Sequence, residues 1–306
     1  MPLVTIRHQT RYRYRNPVAF GEHRLMVRPM ESFDQRVVSA ELEISPEPAL
    51  LRQIHDLAGA TVGVARFTGR ADKLVFDSKI VVDHNPAVPF ELEGEDSRIG
   101  ADGFVYAPAE ADDLACAATP KHRADAAEVG AFGRRFLLPV GHTRLSTLLS
   151  KMTHAIHDDF TYTKRLYGAP QTPSETLADG SGSCRDFAVL MMEAARSLGL
   201  AARFVSGYVY SGSPKAARQG GGHTHAWVRV YIPDCGWTDF DPTNGIIGGH
   251  DLIRTAAVVD PVHATPLYGS WSGLNSDFLG MDVDVMIQAA PSSVDVAAER
   301  KANSLR

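Results

Sequence analysis

The sequence predicts an α+β protein, in which an all-β, sandwich-like amino-terminal part precedes a helix packed on an antiparallel sheet. Three observations point there. Residues 1–105 carry mostly period-two or short apolar runs separated by Pro and Gly. Residues 184–198 carry apolar side chains at helical spacing, and residues 202–241 return to strand patterning around a short turn. The 306 residues suffice for one large domain or two ordinary ones, with a core that needs neither disulfides nor metal.

Taken in order, LVTIRHQTRYRY (3–14), RVVSAELEIS (36–45), TVGVARFTG (61–69) and KLVFDSKIVVDH (73–84) read as strands, and FGEH, SPEP and HNPAVP separate them. They form a β domain over 1–106. The Ala-, Pro- and Asp-rich segment 107–122 reads as a linker. Helices are expected near 124–137 and 143–158, the second with Leu145, Leu148, Leu149, Met152 and Ile156 on one face. After the Gly/Ser loop at 180–183, Cys184, Phe187, Ala188, Met191, Ala194, Ala195 and Leu198 recur at three and four, the face of a buried helix. Asp186 suits its first turn, and Gly199 ends it. Strands follow at 202–210 and 223–232, joined by the loop SGSPKAARQGGG at 211–222. On the second, His223, His225, Trp227, Arg229 and Tyr231 share a face. PDCG at 233–236 is a turn, and WTDFDPTNG begins the next strand. Strand-like pieces over 252–290 complete a catalytic domain at 123–290, and a polar tail at 291–306 follows.

Charge narrows the function. Lys plus Arg is 31 against 36 Asp plus Glu, a net charge of -5, so no global positive field exists to hold nucleic acid or an anionic membrane. No apolar run approaches a membrane span, and early Arg residues interrupt any secretory leader, so the expected location is cytoplasmic. The odd count of cysteines, Cys116, Cys184 and Cys235, argues against a disulfide framework and leaves one of them for reactivity. No CxxC or HExxH is present, and His154 and His157 beside Asp158 and Asp159 read as helix-end residues, so neither a metal nor another cofactor is expected. Gly180-Ser181-Gly182 lacks the third glycine and the Lys of a phosphate loop.

The chemistry concentrates in Cys184, His225 and Asp241. A thiol attacks as thiolate, and a helix N-terminus with a neighbouring imidazole favours that form, while a carboxylate orients the imidazole. Cys184 opens a helix, and His225 and Asp241 lie on consecutive strands. If the turn centres between 233 and 235, the residue opposite His225 falls between 241 and 245. Asp241 lies in that bracket, whereas Asp239 needs a centre at 232, inside the apolar run, and reads as a strand or turn charge. Taken alone, each residue has a plainer reading: a cysteine on an apolar helix face is usually core, and His223 is a rim residue. Cys116 and Cys235 have no His/Asp setting, and Trp227 and Trp237 read as packing.

GSGSCRDFAVL, THAWVRVY and WTDFDPTNG resemble, in order, three blocks of the transglutaminase-like superfamily, which shares the papain-like thiol fold. The likeness covers about 160–250, and the preceding β-rich module resembles a bacterial branch with its own transglutaminase N-terminal domain. The resemblance implies that Cys184 is the nucleophile, His225 the base and Asp241 its orienting acid, with peptide or protein amides as substrates. Arg185 and Asp186 follow the cysteine where animal transglutaminases have Trp, and no Asp/Glu cluster resembles their calcium sites. A cysteine peptidase or amidase is therefore expected first. The alternatives are a protein-glutamine transglutaminase using an amine acceptor and a non-catalytic protein-binding module with a relic triad. The backbone N–H of Cys184 is the first oxyanion donor expected, and Tyr162 is a candidate second. The loop at 211–222, with Lys215, Arg218 and the hinge Gly220-Gly221-Gly222, reads either as a solvated connection or as a lid favouring substrates with a carboxylate.

Overall fold

The computed structural model describes residues 3–86, 96–165, 168–211, 219, 221–233 and 235–289. The expected tail lies outside the described residues. The chain begins with β1 (Leu3–Leu25), β2 (Gln35–Ser45), β3 (Leu50–His55), β4 (Thr61–Arg66) and β5 (Arg70–His84). A short pair, β6 (Arg98–Ile99) and β7 (Thr143–Arg144), brackets helices α1 (Pro108–Ala118) and α2 (Ala126–Arg134). Helix α3 (Leu145–Asp159), β8 (Thr161–Tyr162), α4 (Pro173–Asp179), β9 (Ser181–Gly182) and α5 (Cys184–Ser197) follow. The remaining strands are β10 (Ala202–Val209), β11 (His225–Ile232), β12 (Gly236–Asp241), β13 (Ile246–Ile247), β14 (Leu252–Val258), β15 (Leu267–Ser272) and β16 (Phe278–Ala289).

The fold is α+β, and its β-rich part is one curled sheet in the order β2-β5-β1-β4-β3, with β15 and β16 also paired to β1. Strand β1 changes neighbours along its length. Its first half lies between β5 and β16, and its end lies between β4 and β15. Its register with β5 breaks between Arg13 and Val18, where Pro17 has no N–H to give a ladder. The second sheet, β13-β12-β11-β10-β14, is antiparallel throughout. Helix α5 packs against β10 and β11 and meets α2, α3 and α4, which buries it almost all round.

Two expectations need correction. The segment 107–122 is not a bare linker, because α1 occupies most of it. Pro108 suits the first helical turn, alanines favour helix, and Leu114 and Ala117 bury beside Tyr106 and Ala201. Nor does 252–290 belong wholly to the core: β14 pairs with β10, but β15 and β16 return to β1.

The sheets are joined by polar contacts as well as by apolar packing of Val4, Ile6, Ile80 and Val82 on Tyr208, Tyr210 and Ile253. Tyr208 Oη lies 2.9 Å from His8 Nδ1 and donates to the Val27 carbonyl at 3.0 Å. Tyr210 Oη lies 2.8 Å from His84 Nδ1 and donates to the His250 carbonyl. Both hydroxyls donate elsewhere, so each histidine donates from Nδ1. Burial lowers the pKa of each histidine to about 4, so both are neutral. Gln35 exchanges hydrogen bonds with the Arg254 backbone, and Asp34 binds the Arg254 guanidinium. Among the described residues no helix is long and apolar enough to cross a membrane.

Candidate active site

A buried carboxylate fixes the turn that carries Cys184. Asp186, fully buried, accepts from the Ser183 N–H at 2.7 Å and the Ser183 hydroxyl at 2.8 Å, and on its other oxygen from the Gln171 N–H and Arg165. Burial raises its pKa, but Arg165 and these donors outweigh that and hold it below the ordinary carboxylate value. Gly182 is required here, since a Cβ would meet Asp186 Cβ at 2.8 Å and the Phe187 ring at 3.2 Å. The result is a helix starting at Cys184, with the thiol nearly buried at the wall of a pocket of about 550 Å³.

His225 also lines that pocket, at the first residue of β11. Its Nε2 lies 2.8 Å from Asp241 Oδ2, and both side chains are buried. Asp241 Oδ1 accepts from the N–H groups of Thr243 (2.9 Å) and Asn244 (3.3 Å), and Oδ2 accepts from Asn244 Nδ2 at 2.8 Å. Burial alone would lower the His225 pKa; Asp241, then Cys184, outweighs it and raises the value to about 10. Asp241 is raised by burial and lowered further by His225, Asn244 and the Thr243 N–H, for a net depression. Nδ1 of His225 makes no aligned hydrogen bond, so it is the nitrogen left for the sulfur.

The sequence brings these three residues to one place, though not by direct cross-strand opposition. Val228 pairs with Phe240, so one step further sets Asp241 against Trp227, and its carboxylate reaches His225 diagonally. Trp227 stacks on His225 with ring centroids 6.0 Å apart. Its indole N–H donates to Asp239 at 2.7 Å, and Asp239 meets Arg254 at 3.3 Å. Asp239, expected as a strand or turn charge, is a strand residue, and it is buried as a brace. Its partner Arg254 lies three strands away across the sheet, with β11 and β10 between them, a pairing that no local pattern could announce.

Other expected residues take these places. His223, expected at the rim, is among the partly exposed residues lining the pocket, and its pKa is lowered by burial and then by Lys164. Tyr162 also lines the pocket. Its strand pairs in parallel with β9, Tyr162 against Gly182, and burial, then Cys184 and Asp241, pushes its pKa to about 12, so the phenol keeps its proton. Cys116 is exposed and Cys235 half-buried, and neither lines the pocket. His154 and His157 each spend Nδ1 on a backbone carbonyl, of Ser150 and Thr243. Lys215, Arg218 and Gly220 lie outside the described residues. The described Gln219 is held by Asn244 at both its N–H (2.8 Å) and its carbonyl (3.2 Å). Asn244 and Arg165 were not foreseen; the first follows Asp241 closely in DPTNG, while nothing near Arg165 marks its ion pair with Asp186.

Comparison with known proteins agrees with this architecture. Residues 4–83 match the bacterial transglutaminase-like N-terminal region, and residues 141–242 match the transglutaminase-like superfamily. An uncharacterised protein of Mycobacterium tuberculosis is 28% identical, with 92% of this chain and 91% of that protein covered. One from Mycobacterium leprae is 26% identical, covering 92% and 96%. The crystal structure of a candidate cysteine protease from Cytophaga hutchinsonii shares the fold, with a TM-score of 0.68 at 17% identity, over 95% of this chain and 92% of that one. The chain therefore carries a transglutaminase-like superfamily core at 141–242, preceded at 4–83 by a bacterial transglutaminase-like N-terminal region.

Proposed function

We propose that this protein is a thiol-dependent acyl-transfer enzyme that cleaves amide bonds of peptides or proteins, as a cysteine peptidase or amidase. The observation that carries the reading is the meeting of Cys184 and His225 on one pocket wall, with Asp241 bound to Nε2 so that Nδ1 is left for the sulfur. The fold shared with a candidate cysteine protease supports it.

The Cys184 thiolate, paired with protonated His225, attacks the carbonyl carbon. The carbonyl π electrons move to oxygen, where the Cys184 N–H and the Tyr162 hydroxyl are the proposed donors. The intermediate collapses, the C–N bond breaks, and His225 Nδ1 delivers its proton to the leaving amine. Water then attacks the thioester as His225 takes its proton, and the intermediate collapses to the carboxylic acid and the Cys184 thiolate beside protonated His225. Asp241 keeps the imidazole in one orientation and stabilises its charge. An amine in place of water would give transamidation; Arg185 and Asp186, standing where animal transglutaminases have Trp, favour water.

The test is a peptide screen with and without an added amine, with mass spectrometry of the protein. Cys184→Ala should abolish turnover and the trapped acyl adduct, whereas Cys116→Ala and Cys235→Ala should keep both. Free acid as the product with amine present selects hydrolysis over transfer. Full turnover in Cys184→Ala would falsify the mechanism, and a folded wild type that never acylates would leave the binding-module reading.

A further inference from the structure

Strand β10 packs under two different layers. Its residues Phe204, Ser206 and Tyr208 share one face. Phe204 packs in the core that holds α5, whereas Tyr208 packs with Val4, Ile6 and Val285 of the curled sheet. Ser206, between them, is buried but has too small a side chain to fill the space where the two layers part, and it lines the pocket. It pairs with Ala226, the residue after His225, so this gap lies beside the imidazole's place on the sheet. Val189 from α5, Thr10 from β1, Val283 from β16, and Ala264 and Leu267 from the segment after β14 line the same pocket.

The surroundings of this gap are uncharged and mostly apolar. The cations lining the pocket, Lys164, Arg165 and Arg185, all come from residues 164–185, whereas what β10 and β16 contribute, Phe204, Ser206, Met281 and Val283, carries no charge. His8 is neutral in its contact with Tyr208. Asp260, the carboxylate among the described lining residues, accepts from the Val262 N–H at 3.0 Å and acts on the Arg196 guanidinium. Val262 is apolar yet 65% exposed, and gives the pocket an apolar lip. The pocket volume of about 550 Å³ is more than a reacting amide alone occupies. We propose that the gap over Ser206 is the subsite for an apolar side chain of the substrate peptide, next to the scissile amide, with β16 of the curled sheet supplying part of its wall. This rests on the reading of Cys184 as nucleophile. A side chain that leaves water for this gap contributes binding that a glycine at the same place lacks and that a charged residue would offset by its desolvation.

The test compares alkylation of the native full chain by N-benzyliodoacetamide and by iodoacetamide. In both, sulfur attacks the methylene carbon, the C–S bond forms and iodide leaves with the bonding pair of the C–I bond; only the first reagent carries an apolar ring. The rate ratio of the benzyl reagent to its parent should be about tenfold higher at Cys184 than at the exposed Cys116 of the same molecule, which at ~25 cal/mol per Å² corresponds to roughly 55 Å² of apolar surface leaving water. Ser206→Phe, which fills the gap, should lower the Cys184 ratio about fivefold by taking the ring's place. Val283→Thr, which exchanges a methyl for a hydroxyl at nearly constant shape, should lower it about threefold. Val283 is only half-buried, so the second variant reads the gap even where the first does not fold. Equal ratios at the two cysteines, or a Cys184 ratio unmoved by the folded variants, would overturn the subsite while leaving the nucleophile in place. A Cys184 inert to both reagents where Cys116 reacts would overturn the underlying reading itself.

Discussion

Two aspartates on β12, Asp239 and Asp241, lie two residues apart on one face of the sheet, and both are buried. Asp239 is met by two guanidiniums, Arg254 at 3.3 Å and Arg229 at 3.4 Å, and by the Trp227 indole. Asp241 is met by an imidazole and by the amides of Thr243 and Asn244. A guanidinium never gives up its proton at accessible pH, so the arginines of the Asp239 cluster have no proton to exchange and serve to hold strands together. An imidazole titrates, so the same carboxylate two residues on can steady a proton that comes and goes. The partner, more than the residue, divides structure from chemistry along this strand.

The sharpest test of that division is Asp241→Asn. On the proposed mechanism it should lower kcat by about 10⁴-fold, through loss of the imidazole's orientation and charge partner, and leave the urea midpoint of unfolding much less affected. The pH profile gives a second reading. His225 is raised above its unfolded value, so its protonation stabilises the fold fully below pH ~6.5, and that contribution is lost as pH rises through about 10. The alkaline limb of activity should therefore lie near 10 in the native protein. In Asp241→Asn, burial acts with less opposition and the limb should move down by more than one pH unit, on the order of the loss of a buried charge partner. An unmoved limb would show that some group other than this pair sets it.

Asp239→Asn should behave in the opposite way. Removing one charge from a buried cluster costs about 3–5 kcal/mol of stability, read by urea unfolding, while kcat stays within about tenfold. If instead it loses as much rate as Asp241→Asn at unchanged stability, the comparison fails. A smaller effect is expected from Asn244→Ala. It deletes one donor to the Asp241 carboxylate and both contacts to Gln219, so kcat should fall by about tenfold, the equivalent of one hydrogen bond to a charged group. A loss matching that of Asp241→Asn would make Asn244 an equal partner in holding the imidazole.

What could be read beforehand was local. Helix α5 was legible from its three-and-four spacing and from Gly199, and the pairing of β11 with β12 from a short turn between two patterned runs. Helix α4 was missed although Thr172, Pro173 and Glu175 form a capping box with proline in the first turn, a signal present in the sequence. Helix α1 was missed because its alanines also suit a loop until Leu114 finds Tyr106. Non-local pairings were out of reach. Nothing in the sequence near Asp239 announces Arg254, and nothing near Leu267 or Phe278 announces that these strands return to β1. The candidate triad was legible because each member sits at an element boundary.

The return of β16 to β1 also bears on how the molecule could be taken apart. Strand β16 runs beside β1 from Val4↔Ala289 to Tyr14↔Phe278, and its Val285 N–H reaches the Gly222 carbonyl just ahead of the strand carrying His225. His8 and Thr10 from β1, with Met281 and Val283 from β16, line the same pocket as Cys184. The β-rich part is therefore not a cassette that can be lifted out or exchanged as one continuous stretch. Cutting the chain after 106 would strand β15 and β16 with open edges, and open edges are aggregation-prone. The two pieces, supplied together, would instead have a ready-made means of recognising each other: a long antiparallel ladder whose re-formation rebuilds one wall of the pocket.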